Sequence, residues 1–297
     1  IVLIASEIGG TLTLTSGAAA GITDSGTVTV GVDLVATTDA NDGVIDLGTL
    51  AVTGDMDLTT DGTGDVTVVN NGAIDFKASE IGGDLSATAS SGDITDTGRL
   101  TVGLTSTFKV ANNQNITLDS SANAFTGAVT LQANSGNGTF GNITFVDDSA
   151  VRINSSAASN GDLFIDGGTN SQVGGNLTVT ATTENITDNT NVTVTGNSTF
   201  TTLADAGAIT LNNTNAFGGW VKLTTTDTSG DDSHATIDNG TTALVLNAGS
   251  VIKGDLTVTS GHTSGITDNG AVTVGGNLVA TTDENNGVID LGTITVT

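Results

Sequence analysis

The side chains of this sequence best equipped for chemistry are a handful of carboxylates. Asp147-Asp148, Asp231-Asp232 and the Asp39/Asp42 loop with its counterpart at Asp283 supply hard oxygen ligands, the donor type that Ca²⁺ takes. Calcium is the one cofactor these residues point to, although neither an EF-hand loop nor the G-G-x-G-x-D pattern of calcium-binding β-helices is present. Ser233-His234 beside Asp231 and Asp232 has the residue types of a hydrolytic triad, but adjacency in the chain is not the geometry a triad needs. His262 has no Ser, Cys or ligand neighbour at a useful spacing, and both histidines read as exposed loop residues. Trp220, the single Trp, reads as a local packing or surface residue. A polysaccharide-cleaving β-helix would carry carboxylates or Arg in a groove with several aromatic sugar platforms, and a chain with one Trp and no Tyr does not supply them. No catalytic residue is expected.

The chain has 32 acidic against 6 basic residues, a formal net charge of −26. That balance cannot neutralise phosphates and excludes nucleic acid as a partner. Asp sits mainly beside Gly, Asn and Thr, as in solvated turns whose mutual repulsion keeps a long chain soluble. No stretch approaches the roughly 18 apolar residues of a spanning helix, so no membrane insertion is expected, and the opening IVLIA is too short for a signal peptide. Zero cysteine fits export as an unfolded chain. Ten Asn-x-Ser/Thr sequons, among them Asn115, Asn142 and Asn191, follow from an Asn- and Thr-rich composition.

What would position any of these residues is repetition. Residues 22–53, ITDSGTVTVGVDLVATTDANDGVIDLGTLAVT, return at 266–297 with eight of 32 positions changed, an offset of 244 residues. Within that unit GGTL at 9, GGDL at 82, GGNL at 174 and KGDL at 253 open shorter sub-repeats, each leading to an ITD at 22, 94, 186 or 266. Fixed-period repetition of this kind marks a solenoid, in which each unit exists to stack on the next. The whole of 1–297 is read as one continuous β-solenoid segment of a longer repetitive chain. Bare end coils of such a piece should stack on other copies or aggregate, increasingly as salt screens the acidic repulsion.

Strands follow from the alternation of apolar and polar residues in Thr27–Val30, Asn176–Thr180 and Asn191–Thr195. Comparable positions fall at Leu12, Leu34, Met56, Leu85, Ser106, Val129, Leu177, Ser198, Val221, Leu256 and Leu278, mostly 21 to 23 apart. The longer gaps of 29 before Leu85 and 35 before Leu256 read as loops between coils. About three short strands per coil of 22 residues predict an all-β parallel β-helix, with an antiparallel sandwich array as the alternative. The absence of Pro agrees, since each stacked strand needs its N–H groups for the ladder. The core should be a narrow column of Val, Leu, Ile, Ala and Thr, with Val28, Val30, Leu177, Val179, Val192, Val194, Leu256 and Val258 inward and the Thr between them outward.

ITLDSSANAFTGAVTL (116–131), AITLNNTNAFGGWVKL (208–223) and the GGNLTVT, ITD, VTVTGNSTF series (174–200) resemble the repeats of giant filamentous-haemagglutinin-like bacterial surface proteins. The resemblance covers nearly all of the chain. It implies a right-handed parallel β-helix exported across the outer membrane, serving as adhesin, spacer or filament at the cell surface or outside it. Expected partners are neighbouring repeats, other copies by end-to-end or lateral association, and a host or surface glycan. Two other classes remain open: an ice- or mineral-binding face built from Thr-x-Thr pairs such as Thr27/Thr29, Thr178/Thr180 and Thr257/Thr259, and a carbohydrate-active β-helix enzyme.

Overall fold

A computed structural model describes residues 1–133, 141–154, 162–165, 171–228, 230, 233–283 and 286–297. Among them there is no helix; the chain is all-β, its strands pair in parallel, and it winds as a β-solenoid with coils about 22 residues apart. The antiparallel alternative is thereby set aside. The described residues form two compact units, one ending at Thr144 and the other starting at Phe145.

In the first unit Leu12, Leu34 and Met56 stack in register, as do Ile22, Ile45, Val66, Leu85, Ser106 and Val129. In the second unit Leu177, Ser198 and Val221 form one column, and Ile186, Ile209, Ala235, Leu256 and Leu278 another. The common coil among the described residues has one long strand on one side and two short strands with a bend between them on the other. Leu34–Thr38, for example, follows the short strands Ile22–Asp24 and Val28–Val30. The same three strands recur 244 residues on, as Ile266–Asp268, Val272–Val274 and Leu278–Thr282.

All eight residues assigned inward are fully buried, and Thr29, Thr178, Thr193 and Thr257 between them are half-buried. Each such Val or Leu contributes roughly 1.5 to 3 kcal/mol by burial. The expectation of an aliphatic core needs correction. Phe76, Phe108 and Phe125 stack edge-on at 6.1 and 5.9 Å in one unit, and Phe200 meets Phe217 at 5.5 Å in the other. The rings come from different strand columns, Phe108 lying between Ala87 and Leu131 while Phe125 lies over Val102, and Phe200 over Val179 while Phe217 lies over Val194. They therefore meet across the core, where edge-to-face contact suits the aromatic quadrupole.

The gaps of 29 and 35 are a second correction, because they hold strands rather than loops. Val66–Asn70 lies between Met56 and Leu85, and Ala235–Asp238 lies between Val221 and Leu256. At these points the long strand changes sides. Met56–Thr59 is followed by a coil in which its place is taken by two short strands, Ile74–Phe76 and Ser79–Ile81. Val66–Asn70 meanwhile stacks on Ile45–Val52, which lies over the two short strands Ile22–Asp24 and Val28–Val30 of the coil before. In the second unit Trp220–Thr226 is likewise succeeded by Leu244–Leu246 and Ser250–Ile252, while Ala235–Asp238 continues the column of Ile209.

Corners leave little room. Gly21, at φ +61°, lies so close to the next coil that a Cβ there would be 1.8 Å from the Val44 carbonyl oxygen, and Gly265, at φ +63°, meets Val288 in the same way. Only glycine both adopts that backbone and permits that approach.

Candidate functional site

At the corners of this fold many polar side chains bond to the neighbouring coil. Immediately before several of the long strands stands an Asx residue whose side-chain oxygen accepts an N–H one coil further on. Asp33 accepts from Asp55 at 3.1 Å, Asp65 from Asp84 at 2.8 Å and Asp84 from Thr105 at 2.8 Å. In the second unit Asn176 accepts from Asn197 at 2.8 Å, Asn197 from Trp220 at 3.2 Å and Asp255 from Asn277 at 2.6 Å. The chain bends at these places, so the backbone ladder cannot serve every donor, and a carboxylate or amide does so instead.

The Asp of the ITD phrase works similarly. Asp96, 7% exposed, accepts the N–H groups of Asp119 at 2.8 Å and Ser120 at 3.4 Å and the Asn123 amide at 2.5 Å. Asp188 accepts from Asn212, Asn213 and the Asn215 amide at 3.0, 3.3 and 2.8 Å. The oxygens of Asn123 and Asn215 in turn hold the N–H groups of Leu100 and Val192. Burial pushes the Asp96 carboxyl above its ordinary range, although the amide and the two N–H groups pull the other way.

Where the long strand changes sides, three buried polar residues take matching roles in both units. Thr60 donates to the Gly64 carbonyl at 2.8 Å and accepts the Gly82 N–H at 3.0 Å; Thr225 does the same with Ser233 and Lys253, both at 2.9 Å. Asn70 accepts the Val52 N–H at 2.9 Å and donates to the Val52 and Ala73 carbonyls at 3.0 and 2.6 Å. Asn239 accepts the Phe217 N–H at 2.7 Å and donates to the carbonyls of Phe217 and Thr242 at 3.3 and 3.2 Å. Ser79 accepts the Leu58 N–H at 3.1 Å and Ser250 that of Leu223 at 3.2 Å. These two N–H groups sit mid-strand, above the bend between two short strands. No carbonyl lies opposite, and the hydroxyl fills the gap.

The residues that sequence reasoning nominated for chemistry are drawn into this framework or scattered by it. Asp42 accepts from the N–H and hydroxyl of Thr63 at 2.7 and 3.3 Å, while the Asp39 N–H donates to the Ser16 carbonyl. Asp147 is buried and accepts from the Ser149 hydroxyl at 2.8 Å; the Asp148 carbonyl accepts from the Thr183 hydroxyl. Asp283 lies beside Gly261, where a Cβ would be 2.7 Å from its carboxylate. Asp231 and Asp232 lie outside the described residues. Among the described residues no three His, Cys, Asp or Glu side chains converge as metal ligands. Ser233 is buried and donates to the Thr226 carbonyl at 2.6 Å, while His234 Nδ1 accepts the Asp255 N–H at 2.9 Å, so the two are engaged separately. His262 Nδ1 accepts the Ser264 N–H at 3.0 Å, and Trp220 is half-buried in a long strand.

One charged cluster stands out in the first unit. The Lys77 ammonium bridges Asp33 at 3.1 Å and Asp55 at 2.9 Å. The Asp55 N–H and this ammonium hold Asp33 below the ordinary carboxylate range, and hydrogen bonds to Asp55 and Asp33 raise Lys77. Asp75 goes the other way, pushed up by burial and by the Asp55 charge. A signal for the side-changing residues was present in the sequence as the recurring Ser-x-Ile/Val-Gly/Lys-Gly-polar-Leu phrase at 6–12, 79–85, 171–177 and 250–256. Reading it from GG onward left out the Ser.

A family model described as repeats of unknown function, DUF5649, matches residues 63–132, 158–224 and 232–295. No curated protein and no solved structure matches the chain.

Proposed function

We propose that this chain, which belongs to the DUF5649 family of repeats, is a non-catalytic structural or adhesive segment of a rod or filament on a bacterial cell surface. One observation carries the reading. The buried polar side chains at the corners and side changes tie one coil's backbone to the next, as Asn70 and Asn239 do, instead of converging on a common point. Catalysis needs convergent groups held at one reacting atom, whereas a spacer needs coils fastened to their neighbours, as the described ones are. The acidic surface and the likeness to filamentous-haemagglutinin-like repeats support a place outside the cell, with other copies and a surface glycan as partners. Protease treatment of intact producing cells tests this: fragments of the chain should be released, and full protection until the cells are lysed would overturn the surface assignment.

A second reading is favoured by the register of outward threonines. Thr187, Thr210, Thr236 and Thr257 stack on four successive coils, and Thr178/Thr180 lie over Thr199/Thr201. Such a grid, with rows about 4.8 Å apart, suits an ice or mineral surface. Lys222 interrupts one column and Val279 another. A thermal-hysteresis assay decides between the readings.

A further inference from the structure

We propose that Asn71-Gly72 is a self-modification site, at which the chain deamidates through a succinimide assisted by Ser91. Four Asn-Gly pairs lie within the described residues, and in two of them the Asn side chain is held. Asn239 is fully buried with its amide engaged, and the Gly240 N–H donates to Asp238 at 2.8 Å. The Asn269 oxygen accepts the Ala248 N–H at 2.7 Å. Gly287 is packed on Thr282, where a Cβ would stand 2.6 Å from that side chain.

Asn71 differs from Asn239 and Asn269 in its free side chain, and from Asn286 in the open space at its glycine and the hydroxyl on its carbonyl. It is exposed, and among the described residues its side-chain amide makes no hydrogen bond and the Gly72 N–H has no acceptor. The space around Gly72 is open, with the Asn70 amide 3.8 Å from a Cβ placed there. Hollows of about 240 and 340 Å³ both reach Asn71 and admit water. Above all, the Ser91 hydroxyl donates to the Asn71 carbonyl oxygen at 2.5 Å.

That hydrogen bond falls on the peptide group whose N–H has to ionise. Hydroxide removes the Gly72 amide proton, and the negative charge is shared with the Asn71 carbonyl oxygen, where the Ser91 donor stabilises it. The Gly72 nitrogen then attacks Asn71 Cγ. A C–N bond forms, the Cγ–Nδ2 bond breaks, and Nδ2 leaves as ammonia after taking a proton from water. Water opens the succinimide at either carbonyl, leaving an aspartyl or an isoaspartyl linkage. Either product adds a negative charge one residue from Asn70, and the isoaspartyl form lengthens the backbone beside the side change.

The test is peptide mass mapping of the full chain during incubation at mildly alkaline pH, with ammonia release followed in parallel. The peptide carrying Asn71 should convert severalfold faster than those carrying Asn239 or Asn269. Ser91→Ala should slow it severalfold in the folded chain and have no effect in denaturant. Conversion of Asn269 at the same rate, or a Ser91→Ala chain that is still folded yet converts unchanged, overturns the proposal.

Discussion

At corresponding corners of the two side changes, one unit uses a carboxylate and the other an imidazole. Asp65, just before Val66, accepts the N–H of Asp84; His234, just before Ala235, accepts the N–H of Asp255. The surroundings differ as well, since the first unit adds the Lys77 bridge between Asp33 and Asp55. Yet the Thr, Asn and Ser at the change itself are the same in kind and in partner. Position in the ladder therefore demands an acceptor, and its chemistry is free to vary. The buried trio is not free, because each member serves a backbone N–H of a neighbouring coil.

The comparison breaks most visibly in the core. Phe108 and Phe200 are both fully buried, but Phe108 touches two rings and Phe200 one. Truncation to Ala should cost about 3 to 5 kcal/mol at either, with Phe108 the costlier. Equal losses in denaturant titrations would show that the ring stack adds nothing beyond burial.

The trio comes next. Asn70→Ala and Asn239→Ala each leave a buried N–H and carbonyls unserved, so each should lose about 1 to 3 kcal/mol by thermal or chemical unfolding. If only one is sensitive, the role belongs to a local setting and not to the side change. Ser106 and Ser198 sharpen the picture with the opposite sign. Both hydroxyls are buried without a partner in otherwise apolar columns. Replacement by Ala should stabilise each unit by about 1 kcal/mol, and a loss would reveal a missed partner.

Smaller effects test the swapped acceptor. His234→Leu should cost about 0.5 to 1.5 kcal/mol while His234→Asp, which copies the first unit, should cost less. Loss of any enzymatic turnover with His234→Leu would count against the structural reading.

The smallest effect is a pH dependence. The native pKa of Asp75 lies above its ordinary value of 3.8, so its ionisation opposes folding, and stability is regained as pH falls through the raised value. Asp33 runs oppositely: its native pKa lies below 3.8, and its contribution is lost as pH falls through that lowered value. Asp75→Asn should make the melting temperature fall more steeply on acidification, and an unchanged slope would mean that Asp75 titrates as it does unfolded.

Much of the coil was legible because burial in a stacked strand imposes a period of two, which Val192-Thr193-Val194 or Leu256-Thr257-Val258 display openly. The side change was not, because the residues that make it look like turn residues. Asn70, Asn239 and Ser250 have the composition of a loop, and their burial depends on which strand lies on the neighbouring coil. An offset of about half a coil is likewise indistinguishable in length from a short insertion. The contacts of the carboxylates were not legible for a related reason. Asp42 has the chemistry of a calcium ligand, but the nearest donor is the N–H of Thr63 in the next coil, and that contact cannot be read from local spacing.

Coils that contact only their neighbours can also be gained or lost in evolution one at a time. Between side changes, as from Leu85 to Ser106, removing a single coil of 21 residues rejoins strands of the same kind on the same side, with the Asp84 acceptor still at the corner. A deletion ending between Met56 and Leu85 would bring a long strand against two short ones without the serine that makes the junction tolerable. Changes in chain length among such genes should therefore cluster in whole coils away from the side changes.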